Sequence, residues 1–176
     1  EAYHDFAGTS AVTLLEHHPN LVVLQTLSKI GLAALRLGIL LASPELTREI
    51  NKVRLPYNVG AFPQAAARIV LEDAAFLEEQ VRTIRAERAR LAAEMGNFPG
   101  VTIFPSDANF LLFRTLWPSR AVFDGLRGRG VLVRDLGRQP GPLQGCLRVT
   151  VGTPAENTAF LEALPHALAG AAGAGA

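Results

Sequence analysis

The stretch LVVLQTLSKIGLAALRLGILLA, residues 21–42, decides how the rest of the chain is read. LVVLQT, residues 21–26, is apolar and β-branched, the pattern of a strand buried on both faces within a parallel sheet. LRLGILLA, residues 35–42, reads as its neighbouring strand. Between them lie Thr26, Ser28, Lys29 and Arg36, and Lys29 is one of only two lysines in a chain that otherwise uses arginine.

In open α/β sheets ligands sit beyond the carboxyl ends of the strands, and Lys29 falls just past such an end. A lysine against apolar walls loses its proton more readily and attacks a carbonyl to form a Schiff base. The competing reading is a lysine that snorkels to solvent beside a strand. Arg36 is open in the same way, between a surface arginine and a two-pronged clamp on a phosphate. With the hydroxyls of Thr26 and Ser28 added, the loop suits a phosphorylated carbonyl compound such as pyridoxal phosphate.

Composition sets the bounds around this stretch. At 176 residues, 49% hydrophobic and 19% charged, the chain can bury a core in one or two domains. The apolar runs are too short for a membrane-spanning helix. With a net charge of +1 and arginines scattered among glutamates, electrostatics gives no case for nucleic acid. The single cysteine, Cys146, fits a reducing compartment, which makes the cytoplasm the expected location. The four histidines and one cysteine match no metal-ligand spacing.

Downstream, Ser43 and Pro44 are placed to start a helix over about 44–53. RLPYNVGAFPQ, residues 54–64, reads as a loop, followed by a small Ala-rich helix from Pro63 to about Leu71. A long charged helix then places Leu77, Val81, Ile84, Leu91 and Met95 on one stripe, with Glu78 and Arg82 as an i,i+4 pair. The remainder predicts an α+β layer: strands VTIF (101–104), NFLLFR (109–114), VLVR (131–134) and CLRVTV (146–151), with helices near 119–128 and 154–169. The terminal AGAAGAGA reads as a disordered tail.

Several segments carry a resemblance. TLSKIGLAALRLG resembles the cofactor-lysine segment of fold-type I, pyridoxal-phosphate-dependent aminotransferases of class I/II. EAYHDF, PYNVGAFPQAAA and SDANFLLFR are similar to further segments of that family, in the same order. VLVRDLGRQPGPLQGCLRVTVGTPAEN closely resembles the C-terminal region of the histidinol-phosphate branch. In fold terms the resemblance implies an α/β chain comprising a remnant of a large αβα domain with a mainly parallel sheet (1–72) and a connecting helix (73–98). A small α+β domain (99–168) and the tail (169–176) would follow.

The same resemblance implies roles. Lys29 would carry the pyridoxal 5'-phosphate and move the proton at the substrate's α-carbon, while Tyr3, Thr26, Ser28 and Arg36 would bind the cofactor. Arg148 would face the carboxylate of glutamate, Arg134 the phosphate of histidinol phosphate, and Tyr57 and Asn58 would line the substrate loop. The implied reaction exchanges the amino group of L-histidinol phosphate with 2-oxoglutarate, giving imidazole acetol phosphate and L-glutamate, in a homodimer. Here the Lys29-to-Arg36 spacing is one residue shorter than the common family pattern, and GPL at 141–143 resembles an insertion. The family's aspartate beside the cofactor ring would immediately precede Glu1, so the resemblance also implies a C-terminal part of a longer chain, inactive alone. The alternatives are an aromatic amino-acid aminotransferase, a phospho-amino-acid decarboxylase, or a non-catalytic folding or dimerisation fragment.

Overall fold

The computed structural model describes residues 1–137 and 140–173. The chain divides into two compact units, Glu1–Arg82 and Thr83–Ala176, and the division falls inside a helix instead of at a loop. Among the described residues no helix is long and apolar enough to cross a membrane.

The first unit opens with a single-turn helix α1 (His4–Ala7), closed by Gly8 at φ 72° and anchored by the fully buried Phe6. Strands β1 (Val22–Thr26) and β2 (Gly38–Ala42) follow, joined by two short 3-10 turns, Leu27–Lys29 and Ala33–Leu35. The pair is antiparallel, with Leu24 opposite Leu40 and Thr26 opposite Gly38, whereas the sequence predicts parallel neighbours. The reason is the connection: it holds two single turns and no crossover helix, which a parallel return would need. Burial on both faces also fails in this unit, since Val23 is 3% exposed but Leu24 is 59% exposed.

Helix α2 (Pro44–Val53) starts where Ser43 and Pro44 predict, with Ser43 Oγ accepting from the Leu46 N–H at 3.2 Å. Ser43→Ala orphans that donor and should cost about 1 kcal/mol, seen as faster amide exchange through the first turn of α2. Helix α3 (Ala61–Glu72) begins two residues before the predicted Pro63. Pro63 fits there because the N–H it lacks belongs to the first turn, where it would have no intrahelical acceptor. Helix α4 (Ala74–Met95) is the long charged helix; Arg82 pairs with Glu79 at 2.5 Å, in place of the expected Glu78.

The second unit is a four-stranded antiparallel sheet ordered β3 (Val101–Ile103), β4 (Phe110–Thr115), β6 (Cys146–Thr150), β5 (Arg134–Asp135). Helices α5 (Ser119–Arg127) and α6 (Pro154–Gly173) pack against it. Alternation along the strands sends Leu111, Phe113, Leu147 and Val149 into the core with Val122, Leu126, Phe160 and Leu164. Phe113 meets Phe160 edge to face at 6.2 Å, and Leu91 and Met95 from the end of α4 complete the cluster.

Of the predicted strand 131–134 only Arg134 lies in β5, which continues to Asp135. The Val131 N–H is taken by Leu126 O at 3.0 Å, which closes the turn after α5 instead of joining the sheet. Helix α6 runs beyond the predicted 169 to Gly173, with Ala167, Leu168 and Ala171 buried, so alanine's helix propensity and this packing override the loop-like composition. The last residues of the expected tail, 174–176, lie outside the described residues.

Candidate active site

In the first unit Tyr3, Thr26, Ser28 and Lys29 gather around the carboxyl end of β1. Thr26 ends the strand and its Oγ1 accepts from the Ser28 N–H at 3.1 Å, which sets the 3-10 turn that presents Lys29. Lys29 Nζ lies 5.4 Å from the centroid of the Tyr3 ring. Two residues 26 apart in sequence therefore meet, an amine over an aromatic face.

Arg36 closes the second 3-10 turn in the left-handed region, at φ 55° and ψ 36°, a conformation unfavourable for a residue with a long side chain. Among the described residues its Nη1 reaches only its own turn, at Ala33 O, 3.4 Å away. Backbone strain of about 1–3 kcal/mol persists where a site requires it. Tyr57 is the second non-glycine residue at positive φ, 58°, and is 99% exposed. Asn58 Oδ1 accepts from Arg54 at 3.0 Å. The structure thus seats neither Tyr57 nor Asn58 against the Lys29 group.

Sequence reasoning passed over Glu1. Its carboxylate accepts from the Ala11 N–H, from Ser10 Oγ at 2.8 Å and from Gln25 Nε2 at 3.3 Å. These donors, the Ala11 N–H foremost, hold its pKa down to about 2. The result ties the turn at 8–12 to β1, next to Tyr3.

In the second unit the sheet face opposite the core carries the other candidates. Arg134 and Arg148 are direct cross-strand partners, so their side chains leave the same face side by side. Like charges directly opposite destabilise a ladder, and among the described residues neither guanidinium meets a carboxylate. Arg148 stacks over Phe110 at 5.1 Å, and its Nε is buried without a hydrogen-bond partner. A pair of this kind is suited to a shared anion, which would relieve the repulsion and satisfy the orphaned donor.

The turn after β6 is held by residues the sequence reading left unassigned. Asn157, 2% exposed, accepts from the Gly152 N–H at 2.9 Å and donates to Gly152 O at 3.0 Å and to Glu87 Oε2 at 2.8 Å. Glu87 also pairs with Arg90 at 2.8 Å, and Arg90 first, then Asn157, pulls its pKa below the usual carboxylate range. Thr153 and Glu156 form a reciprocal capping box at the start of α6, with the Glu156 N–H to Thr153 Oγ1 and the Thr153 N–H to Glu156 Oε2. The Thr-x-x-Glu spacing was the signal that could have marked this turn.

Residues 1–164 match the family described as aminotransferase class I and II. A histidinol-phosphate aminotransferase 2 of Nitrosococcus oceani is 49% identical over 165 residues, covering 93% of this chain and 46% of that protein. The histidinol-phosphate aminotransferase of Aquifex aeolicus is 47% identical over 169 residues, covering 96% of this chain and 48% of its own length. A crystal structure of histidinol-phosphate aminotransferase from Sinorhizobium meliloti, solved with pyridoxal-5'-phosphate, superposes with a TM-score of 0.80 at 28% identity, covering 96% of this chain and 47% of that one. The chain spans about half the length of the curated relatives it matches.

Proposed function

Since the chain belongs to the class I and II aminotransferase family, we propose that it carries the amine and the anion-binding arginines of a pyridoxal-phosphate-dependent transaminase acting on L-histidinol phosphate and 2-oxoglutarate. The observation that carries this reading is Lys29 Nζ over the Tyr3 ring, in the same unit as an arginine held at positive φ. The residues present fit the cofactor: an amine, two hydroxyl side chains and a guanidinium with only a long contact to its own turn, beside an aromatic ring.

When bound, pyridoxal phosphate supplies the electron sink that lets the substrate's Cα–H bond break. In this reading the Ser28 hydroxyl and the Arg36 guanidinium hold the cofactor phosphate, with Thr26 supporting the turn. The Tyr3 hydroxyl orients the ring, and the Lys29 amine takes the proton from the substrate's Cα and returns it during amino transfer. Arg134 and Arg148 hold the substrate's anionic group, the phosphate of histidinol phosphate or the carboxylate of the dicarboxylic partner. Tyr57 and Asn58 are proposed to line the substrate side. Names of relatives at 47–49% identity support histidinol phosphate as the substrate. A homodimer and a cytoplasmic location belong to the same proposal, supported by the exposed Tyr57 and Phe62 in the first unit and by the single buried cysteine.

Substrate profiling of the full-length protein tests the choice: higher kcat/KM for an aromatic amino acid than for histidinol phosphate would overturn it. Arg134→Ala or Arg148→Ala should each weaken binding of the phosphorylated substrate about ten- to a hundredfold, the worth of one charge-assisted hydrogen bond. Inhibition by inorganic phosphate measures that loss directly.

A further inference from the structure

Strand β5, which bears Arg134, has only two residues and lies at the sheet edge. Its hold on β6 is the Arg134–Arg148 and Asp135–Leu147 pairing and the Leu136 N–H to Cys146 O bond at 3.0 Å. The first of those pairs sets two positive charges side by side. So short a strand, pushed outward by its own side chain, needs a restraint from elsewhere.

Arg114 on β4 is placed to supply one. It pairs with Cys146 in register, two residues before Arg148 on β6, so all three arginines leave the same sheet face. Yet Arg114 is engaged differently from the other two. Its Nη2 donates to Pro142 O at 2.9 Å and lies 3.4 Å from Cys146 Sγ, while its guanidinium sits 5.7 Å from the centroid of the Phe104 ring. Pro142 belongs to the connection that returns from β5 to β6. Pro142, Leu143 and Arg134 line one cavity of about 610 Å³, so the segment Arg114 grips adjoins Arg134.

The base of that connection leaves no slack. A Cβ on Gly137 would fall 3.0 Å from Gly145 Cα and 2.2 Å from Ser119 Oγ, so the two glycines meet backbone to backbone. Asp135 Oδ1 accepts from the Gly137 N–H at 3.0 Å and from Ser119 Oγ at 3.2 Å, fixing the β5 end. Arg114 fixes the β6 end through Pro142.

We propose that Arg114 is a positioning residue for the Arg134–Arg148 pair: by holding residues 140–145 it keeps β5 paired, and it thereby sets affinity for the anionic group of the substrate. The proposal rests on the reading that Arg134 and Arg148 bind that group. Arg114 itself does not touch the substrate.

The test uses the full-length protein with inorganic phosphate as inhibitor, and with histidinol phosphate and unphosphorylated histidinol as alternative substrates. Arg114→Met should raise the phosphate inhibition constant and the KM for histidinol phosphate about tenfold, the equivalent of one charge-assisted hydrogen bond, while kcat and the KM for histidinol stay within about twofold. Arg114→Lys, which keeps a donor, should recover part of the loss. Deleting residues 141–143 removes the Pro142 carbonyl while leaving Arg114 in place, and should reproduce the phosphate-specific loss even if Arg114→Met does not fold. Unchanged phosphate inhibition in Arg114→Met or in the deletion, with Arg134→Ala and Arg148→Ala weakened, would overturn the positioning role alone. Equal loss on both substrates would also overturn it, as a general structural effect. Unchanged inhibition in Arg134→Ala and Arg148→Ala would instead overturn the reading on which it rests.

Discussion

Lys29→Ala should lower transamination by the full-length protein about a thousandfold or more, because it removes the amine proposed both to carry the cofactor and to act as the base at the substrate's α-carbon. Lys29→Arg should be equally inactive, since a guanidinium stays protonated and can do neither. The distinction matters because arginine keeps the positive charge over the Tyr3 ring, where Nζ now lies 5.4 Å from the centroid. A merely electrostatic lysine would tolerate that exchange. The measurement is kcat with histidinol phosphate and 2-oxoglutarate, alongside the visible absorption of added pyridoxal phosphate. Added methylamine should restore part of the activity of Lys29→Ala, because the vacated space admits a small amine, and none to Lys29→Arg. Activity above a tenth of the original in either variant would exclude Lys29 as the proton carrier.

Asn157→Ala should destabilise the turn after β6 by about 2–4 kcal/mol, because it orphans the Gly152 N–H and C=O and takes one donor away from the Glu87 carboxylate at a site that is 2% exposed. Amide exchange at Gly152 reports it locally, and should accelerate by roughly thirtyfold or more in the full-length protein. The conservative Asn157→Asp is more informative. It sets a second carboxylate against Glu87 Oε2, and two such groups in contact share a proton, so the folded pair has a raised pKa. A raised pKa contributes stability below the unfolded value and loses it as pH rises, so the deficit of Asn157→Asp should shrink from pH 7 to pH 5. The unsubstituted protein has the opposite sign. Glu87 is held below its ordinary value of 4.5 by Arg90 and then Asn157, so its contribution is complete above that value and fades as pH falls through the folded pKa. Urea unfolding of the second unit at pH 7 and pH 5 should therefore show the change in Asn157→Asp alone, the Glu87 contribution of the unsubstituted protein being complete at both values.

Local chemistry was the most legible part of the fold. Ser43 and Pro44 announce α2 because a cap is a matter of neighbouring residues, and the hydroxyl does accept the predicted kind of N–H. Strand partners were less legible, because pairing depends on what the connection can span. LVVLQT reads as a strand in either direction, and only the two single turns that follow determine an antiparallel return. VLVR shows the same limit: its pattern is extended, yet Val131 gives its N–H to the end of α5. Family resemblance assigns Tyr3 and Lys29 to one proposed site, and the structure sets the Lys29 amine 5.4 Å from the Tyr3 ring centroid. Arg134 and Arg148 were named for separate anions, and the register sets them side by side. The Glu87–Asn157 contact spans 70 residues and has no sequence signature beyond the capping box next to it.

The left-handed backbone at Arg36 has a consequence for anyone who would improve this protein. Glycine relaxes that conformation, so Arg36→Gly removes strain of order 1–3 kcal/mol from the native fold, offset in part by the greater freedom of an unfolded glycine. A selection that rewards heat resistance alone therefore has a downhill step available at one of the proposed phosphate ligands. If the proposed role holds, thermal screening and catalytic screening pull this position in opposite directions, and a library ranked by melting temperature would enrich variants that lack a proposed phosphate ligand.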